Sequence, residues 1–314
     1  MGVYHLGMTQ STTIPRVGII GGSGLGNALL AANKGDSGAK SLDIDTPFGK
    51  PSAPLTLAEW EGVPIAFLAR HGVGHTIPPS AIPFRANIHA LKAAGCKWII
   101  ASGAVGSLRE EIAPRDLVLV DQFIDKTTRR VGTFFDEAGA GAVHVELSEP
   151  ICGGMHGILQ EAAKAAALKG AKIHTQGTYV CMEGPAFSTK AESLMHRGWG
   201  GDLIGMTAMP EAKLAREAEI SYGLIALATD YDCWKPHTPG QSKQALLTEI
   251  IGHMHAATDN ALVLVKAAVP LVWAKRDEEF ASHKALELAI WTDKALIPAA
   301  ARKRLELIWG RYVK

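Results

Sequence analysis

The sequence predicts an α/β fold: a single domain with a central mixed, mainly parallel β-sheet flanked by helices, followed by a C-terminal helical extension. Two observations carry this. Short apolar runs beside glycine, such as Val17-Gly18-Ile19-Ile20 before Gly21-Gly22, or the stretch from Ile220 to Ala228, read as strands buried on both faces. They alternate with segments whose apolar residues recur at helical spacing, the order that builds a parallel sheet covered on both sides.

Taken in order, residues 1 to 14 are polar and patternless and are expected to form a loose arm. Strand character begins near Arg16, and Pro54 to Trp60 and Val63 to Ala69 follow as strands. Ile82 to Ala94 has a helical period, Lys97 to Gly103 reads as a strand, and Asp116 to Val120 is another after the Pro114-Arg115 turn. Gly154 to Leu168 is an alanine-rich helix, Lys172 to Cys181 a strand and Ser188 to Arg197 a helix. Leu203 to Met206 is a short strand, and Pro210 to Glu219 a helix leading into the run at Ile220. From Ser242 to Ala268, Leu246, Ile250, Met254, Ala257, Ala261 and Val265 make one stripe of a long helix. The domain is therefore expected over residues 15 to 270. Residues 271 to 314 form the extension, where Asp277 to Trp291 and Pro298 to Tyr312 read as amphipathic helices with Trp273, Trp291 and Trp309 as anchors.

A hydrophobic content of 47% against 20% charged residues gives ample material for a core. The formal net charge of +1 supplies no field toward nucleic acid or anionic membrane, so a small ligand is expected. Cys96, Cys152, Cys181 and Cys233 contain no C-x-x-C pair, against a zinc ribbon or thioredoxin-type site. With no signal-like start and no uninterrupted apolar run approaching the ~18 residues of a membrane span, a cytoplasmic protein is expected.

Chemistry gathers at strand ends, where open α/β sheets bind ligands. Gly21-Gly22-Ser23-Gly24-Leu25-Gly26 follows a strand as a phosphate-cradling loop would, and it also reads as a plain tight turn. It is not a dinucleotide fingerprint, because the third glycine falls on Asn27 or Leu29. Arg70-His71-Gly72-Val73-Gly74-His75 closes a strand with a guanidinium and imidazoles suited to an oxyanion, while its glycines argue against a helical metal pair of His71 and His75. Ala101 to Ser107 ends another strand with small residues whose backbone can face an anion. Met206-Thr207 brings a hydroxyl. Asp230 and Asp232, one residue apart at the end of the Ile220 run, can reach one ligand together if the strand continues; they also read as a turn capped by two aspartates. No Gly-x-Ser-x-Gly elbow surrounds Ser23 or Ser107.

At these same residues the chain resembles the trimeric purine nucleoside phosphorylase family, and within it most nearly the branch acting on 5'-methylthioadenosine. The matching blocks are Gly18 to Leu25, Thr46 to Ser52, Arg70-His71-Gly72, Gly106 to Ile112, Asp121 to Asp125, Glu183-Gly184-Pro185 and Thr229 to Trp234, spread from about Arg16 to about Val265. The resemblance implies phosphorolysis of a purine N-glycosidic bond through an oxocarbenium-like transition state, giving adenine and 5-methylthioribose 1-phosphate. It implies inorganic phosphate as co-substrate, no metal or organic cofactor, and a homotrimer serving purine and methionine salvage.

Residue by residue, Ser23, Arg70, His71, Ala104 and Thr207 match phosphate-contacting positions of the family. Gly103 stands where some relatives carry Thr, so only backbone contact is expected there. Met206 matches the position beneath the ribose and Phe187 the one stacking on the base. Asp230 matches the acid that supplies or stabilises a proton at purine N7, and Asp232 the acceptor for the 6-amino group. Leaving-group protonation is worth ~10²–10⁴-fold and needs a carboxyl perturbed by burial or a like charge, which the acid pair provides. Ser188, Lys243, His144, Leu246 and Leu247 match specificity positions, His144 from a neighbouring subunit. Lys243 replaces a small aliphatic residue, and Gly205 an Asn found in some relatives, leaving more room beside the base. A preference for 5'-methylthioinosine or for general purine nucleosides is the nearest alternative; from another class, an NAD-binding oxidoreductase is opposed by the broken glycine fingerprint.

Overall fold

The longest strand, β6 (Cys96–Ser107), organises the sheet because its two ends pair differently. In the computed structural model, which describes residues 3–7, 14–22, 39–236, 240 and 242–314, its N-terminal part runs parallel to β2 (Arg16–Gly21) on one side. Along most of its length it runs parallel to β12 (Ser221–Asp230) on the other. Its last residues turn instead to meet β11 (Leu203–Gly205) antiparallel, Ile204 opposite Gly106. The sequence pattern ends this strand at Gly103. It continues because small residues let it bend from one set of neighbours to the next.

Outward from β2 the order is β5 (Val63–Ala69), β4 (Leu55–Trp60), β3 (Lys40–Ile44) and β1 (Val3–Leu6). Beyond β11 come β10 (Thr178–Cys181) and β8 (Gln122–Asp125), both parallel. Off this path, β7 (Leu117–Val120) pairs antiparallel with β12 and parallel with β9 (Ile173–His174). The sheet is thus mixed and mainly parallel, as expected. The expected arm is corrected at its start, where Val3–Leu6 pairs with β3 instead of lying loose. Strands β3 and β8 escaped the sequence reading, since neither stands out as an apolar run. The strand expected over Lys172 to Cys181 is two pieces separated by a bend.

One side of the sheet carries α1 (Phe84–Ala93) and α4 (Glu211–Glu217). The other carries α2 (Gly153–Ala165) and the long α5 (Lys243–Ala274). Helix α5 is long and apolar enough to cross a membrane, but half of its most apolar window is buried inside the protein. Ala257, Ala261, Leu264, Val265 and Ala268 pack there against strands including β2 and β12. It also runs through Pro270, which the sequence reading set as a boundary. A proline inside a helix removes a hydrogen bond, and burial of Val269 and Val272 on either side holds the last turn in place.

The extension differs from the two expected helices. Asp277 to Trp291 forms a 3₁₀ turn at Ala281–Lys284 and a bridge of Ile290 to Val143, and only the last stretch is helical, as α6 (Ala299–Arg304) and α7 (Glu306–Trp309). Trp309 is fully buried in the main core, whereas Trp291 is 72% exposed and cannot anchor it. One carboxylate reaches two distant points of the extension: Glu219 Oε1 accepts from Leu286 N (3.0 Å) and from the Tyr312 hydroxyl (2.7 Å).

Candidate active site

Three strand ends meet at the C-terminal half of β6. Ala104 is exposed between the buried Gly103 and Val105, so the sheet opens there. A Cβ on Gly103 would lie 3.4 Å from Thr207 Oγ1 and 3.9 Å from Arg70 Nη1, and one on Gly22 would lie 3.3 Å from the same nitrogen. Arg70, Gly103 and Thr207, with Gly22 of the expected phosphate loop, therefore face one small volume. Ser23, assigned to the same cradle, lies outside the described residues.

Arg70 is not a free cation. Its Nε and Nη2 donate to the two oxygens of Glu211 at 2.7 and 2.8 Å, and Nη1 donates to Ser102 O at 2.7 Å. Both partners are about 1% exposed. The Tyr222 hydroxyl donates to Glu211 Oε1 at 2.8 Å, completing a buried polar set. Burial works against the guanidinium's charge, but the Glu211 carboxylate outweighs it and keeps Arg70 protonated. Of five N–H donors three are used, so two remain for an anion. The sequence reading missed Glu211 because a glutamate in the first turn of a helix reads as ordinary dipole complementation.

His71 donates from Nδ1 to Ile77 O at 2.8 Å, since a carbonyl can only accept. Burial, then the neighbouring Arg70 and His75, push its pKa down to about 4, so the ring is neutral near pH 7. Its Nε2 therefore presents a lone pair. In this tautomer the neutral ring offers an acceptor at Nε2 beside the Arg70 guanidinium.

At the far end of the same strand lies the acid pair. β12 stops at Asp230, and the chain turns into a 3₁₀ segment, Asp232–Trp234, with Asp232 at φ +49°. The strand alternation that would aim both carboxylates alike is broken. Asp230 Oδ1 accepts from Asp232 N and Oδ2 from Thr229 Oγ1, both at 2.7 Å, so the capped turn is what the backbone adopts. The two acids still share a location. A Cβ on Gly106 would lie 3.3 Å from Asp230 Oδ1 and 3.1 Å from the Asp232 Cβ, so glycine there lets both approach β6. Asp232 Oδ2 is buried against α3 (Lys190–Gly198), which packs on this turn and brings the Ser193 hydroxyl beside the carboxylate, while His196 Nδ1 is buried without a partner. Burial raises the Asp232 pKa, and the Asp230 charge adds to it.

The remaining predicted residues divide. Met206 stands next to Thr207, its carbonyl fixed by Arg130 Nη1 at 2.6 Å, and Arg130 is itself clamped by Glu183. Burial opposes ionisation of Glu183, but the N–H groups of Thr128 and Arg129 and the Arg130 guanidinium hold its pKa down to about 2. Phe187 is 85% exposed, uncovered by its own chain. Ser188 O accepts from Cys233 Sγ at 3.2 Å, tying it to the Asp232 turn. Leu246 lines a cavity of about 230 Å³ with Asp230 and Asp232, whereas Leu247 and Lys243 point outward. His144 is not brought to this cavity; it stacks edge-on against Trp291 at 4.7 Å. Gly205 does not leave room beside the base, because the Tyr179 hydroxyl fills that space from the core side. Among the described residues no group of three or more His, Cys, Asp or Glu is placed to hold a metal ion.

The profile of the phosphorylase superfamily matches residues 16–270. The S-methyl-5'-thioadenosine phosphorylase of Synechocystis sp. is 46% identical over 297 residues, covering 94% of this chain and 87% of its own length. That of Danio rerio is 42% identical over 282 residues, covering 89% and 96%. Among solved structures, a methylthioadenosine phosphorylase from an antarctic soil metagenomic library superposes with a TM-score of 0.85 at 41% identity, covering 95% of this chain and 99% of that one. The Schistosoma mansoni methylthioadenosine phosphorylase in complex with adenine gives 0.78 at 34% identity, covering 88% and 99%.

Proposed function

The chain belongs to the phosphorylase superfamily, and on that premise we propose that it cleaves the N-glycosidic bond of 5'-methylthioadenosine with inorganic phosphate, releasing adenine and 5-methylthioribose 1-phosphate. The observation that carries this is the spacing along β6. Gly103 faces the Arg70 and Thr207 cradle, and Gly106, three residues on, faces the acid pair. One strand thus carries both an anion site and a proton-handling site, within ~10 Å of each other along it.

The chemistry follows from the groups. Phosphate takes the two remaining Arg70 donors, Thr207 Oγ1 and the Gly103-Ala104 backbone, under a ribose resting on Met206. As an unprotonated phosphate oxygen bonds to C1', His71 Nε2 accepts a hydrogen bond from the P–O–H of hydrogen phosphate and orients it, and that proton stays on the new monoester until it leaves to solvent. The C1'–N9 bond breaks with its electron pair going to the purine, whose N7 takes a proton from solvent while the Asp230 carboxylate stabilises the N7–H that results. Asp232 Oδ2, buried beside the Ser193 hydroxyl, accepts from the 6-amino group, and Phe187 stacks on the ring. A site that buries an acceptor for an amine can reject the analogue lacking it by ~10⁴–10⁵. Adenine-type bases are therefore favoured over hypoxanthine.

Phosphate is the sole co-substrate in this reading, with no metal or organic cofactor. We further propose a homotrimer in which His144, exposed on its own subunit, reaches a neighbour's methylthio pocket. The setting is cytoplasmic purine and methionine salvage, without nucleic-acid or membrane partners. The test is release of free base from 5'-methylthioadenosine, 5'-methylthioinosine, adenosine and inosine, with and without phosphate. Methylthioadenosine should lead, and base release that persists in phosphate-free buffer would sink the phosphorolysis.

A further inference from the structure

Tyr179 was not among the residues picked out by sequence, yet it stands directly behind the anion cradle. It lies on β10 opposite Leu203 of β11, and its ring leans along the strand direction to Gly205. The fit is close: a Cβ on Gly205 would sit 2.0 Å from the phenolic oxygen and 2.5 Å from Cζ, so only glycine admits this ring. The residue is 1% exposed, and Phe123 packs edge-on against it at 5.9 Å.

A buried tyrosine hydroxyl needs a polar partner. Here the phenolic oxygen accepts from Thr207 N at 3.3 Å. Thr207 is the residue whose Oγ1 walls the cradle opposite Arg70, and its preceding carbonyl, on Met206, is held by Arg130. The peptide joining Met206 to Thr207 is therefore tied on both sides, its carbonyl by a guanidinium and its N–H by a phenol. Such ties fix the direction in which the hydroxyl of Thr207 points, and a displacement of even 1 Å at a binding group is costly.

We propose that Tyr179 is a positioning residue for the phosphate half of the reaction, acting through Thr207, with Gly205 glycine so that the phenol can reach that peptide. The idea rests on the phosphorolysis reading for its kinetic consequence, but its core, anion binding, is measurable without catalysis.

Tyr179→Phe keeps the ring and removes the hydroxyl. It should raise the phosphate KM about fivefold to tenfold, the size of one neutral hydrogen bond, while kcat at saturating phosphate and the KM for methylthioadenosine stay within about twofold. Gly205→Ala, which drives a methyl group into the phenolic oxygen, should reproduce the rise. Without nucleoside, the increase in Tm produced by phosphate should shrink in both variants. A lower Tm with unchanged phosphate KM and an unchanged phosphate-induced shift would mark Tyr179 as packing only and overturn the proposal. If the wild-type protein turns over without phosphate, the phosphorolysis reading fails separately, and the phosphate-induced Tm shift still decides the role of Tyr179.

Discussion

The anion half and the base half of this site are built on opposite principles. Around Arg70 every strong group has a partner: Glu211 on two of its nitrogens, Ser102 O on the third, and Tyr222 on the same glutamate. Around Asp232 the buried polar atoms are only thinly met: its carboxylate has the Ser193 hydroxyl beside it, and His196 Nδ1 has no partner. A satisfied buried network is rigid, while an unsatisfied one keeps a desolvation cost that a ligand can relieve. On the proposed function, the difference means that phosphate would enter a preformed seat, whereas the purine would complete its own site and draw selectivity from doing so.

The largest effect is expected where the satisfied half is broken. Glu211→Ala strands a buried guanidinium, which costs ~3–5 kcal/mol, and should lower the urea midpoint accordingly. A loss under 1 kcal/mol would show that the ion pair is not what organises this half. In the base half, Asp230→Asn should leave stability nearly unmoved but cut methylthioadenosine turnover by ~10²–10⁴-fold and shift relative preference toward 6-oxopurines. Retention of full adenine selectivity would remove Asp230 from base reading.

Acid separates the halves a third way. The folded pKa of His71 is about 4, below its ordinary 6.5. The fold thus favours the neutral ring, and this contribution is complete above pH 6.5 and lost as pH falls from 6.5 to 4. With about 1.4 kcal/mol per unit, the loss is at most ~3.5 kcal/mol. His71→Asn should flatten that part of the stability profile relative to wild type, in denaturant titrations at pH 7, 5.5 and 4.5. Parallel profiles would place the acid-sensitive group elsewhere.

Much of this arrangement was legible beforehand, for physical reasons. Strands such as Val63–Ala69 announced themselves because both faces are buried, and the ordered blocks from Gly18 to Trp234 gave the family that the relatives bear out. What stayed hidden depends on contacts between distant positions. Glu211 lies 141 residues from Arg70, and nothing in either neighbourhood announces the pair. Tyr179 and Gly205 interlock only once β10 lies beside β11. At Asp230 strand and capped turn read alike in the sequence, for a local reason: a side chain that accepts from the N–H two residues on competes with continued strand, and here the local bond won.

The smallest effect concerns Lys243, which seemed to spoil an apolar pocket. It is the first residue of α5 and exposed, and the positive end of the helix dipole repels its ammonium toward solvent. A long side chain so placed can lie along the pocket rim by its stem without lowering its charge into it. Lys243→Val is therefore expected to change kcat/KM for methylthioadenosine by less than about threefold. Leu246→Ala, three residues on and lining the cavity with Asp230, should cost ~10–200-fold by losing apolar contact. If Lys243→Val instead raised the preference for methylthioadenosine over adenosine more than tenfold, the ammonium would have to sit inside the pocket. The base half would then be charged at both ends.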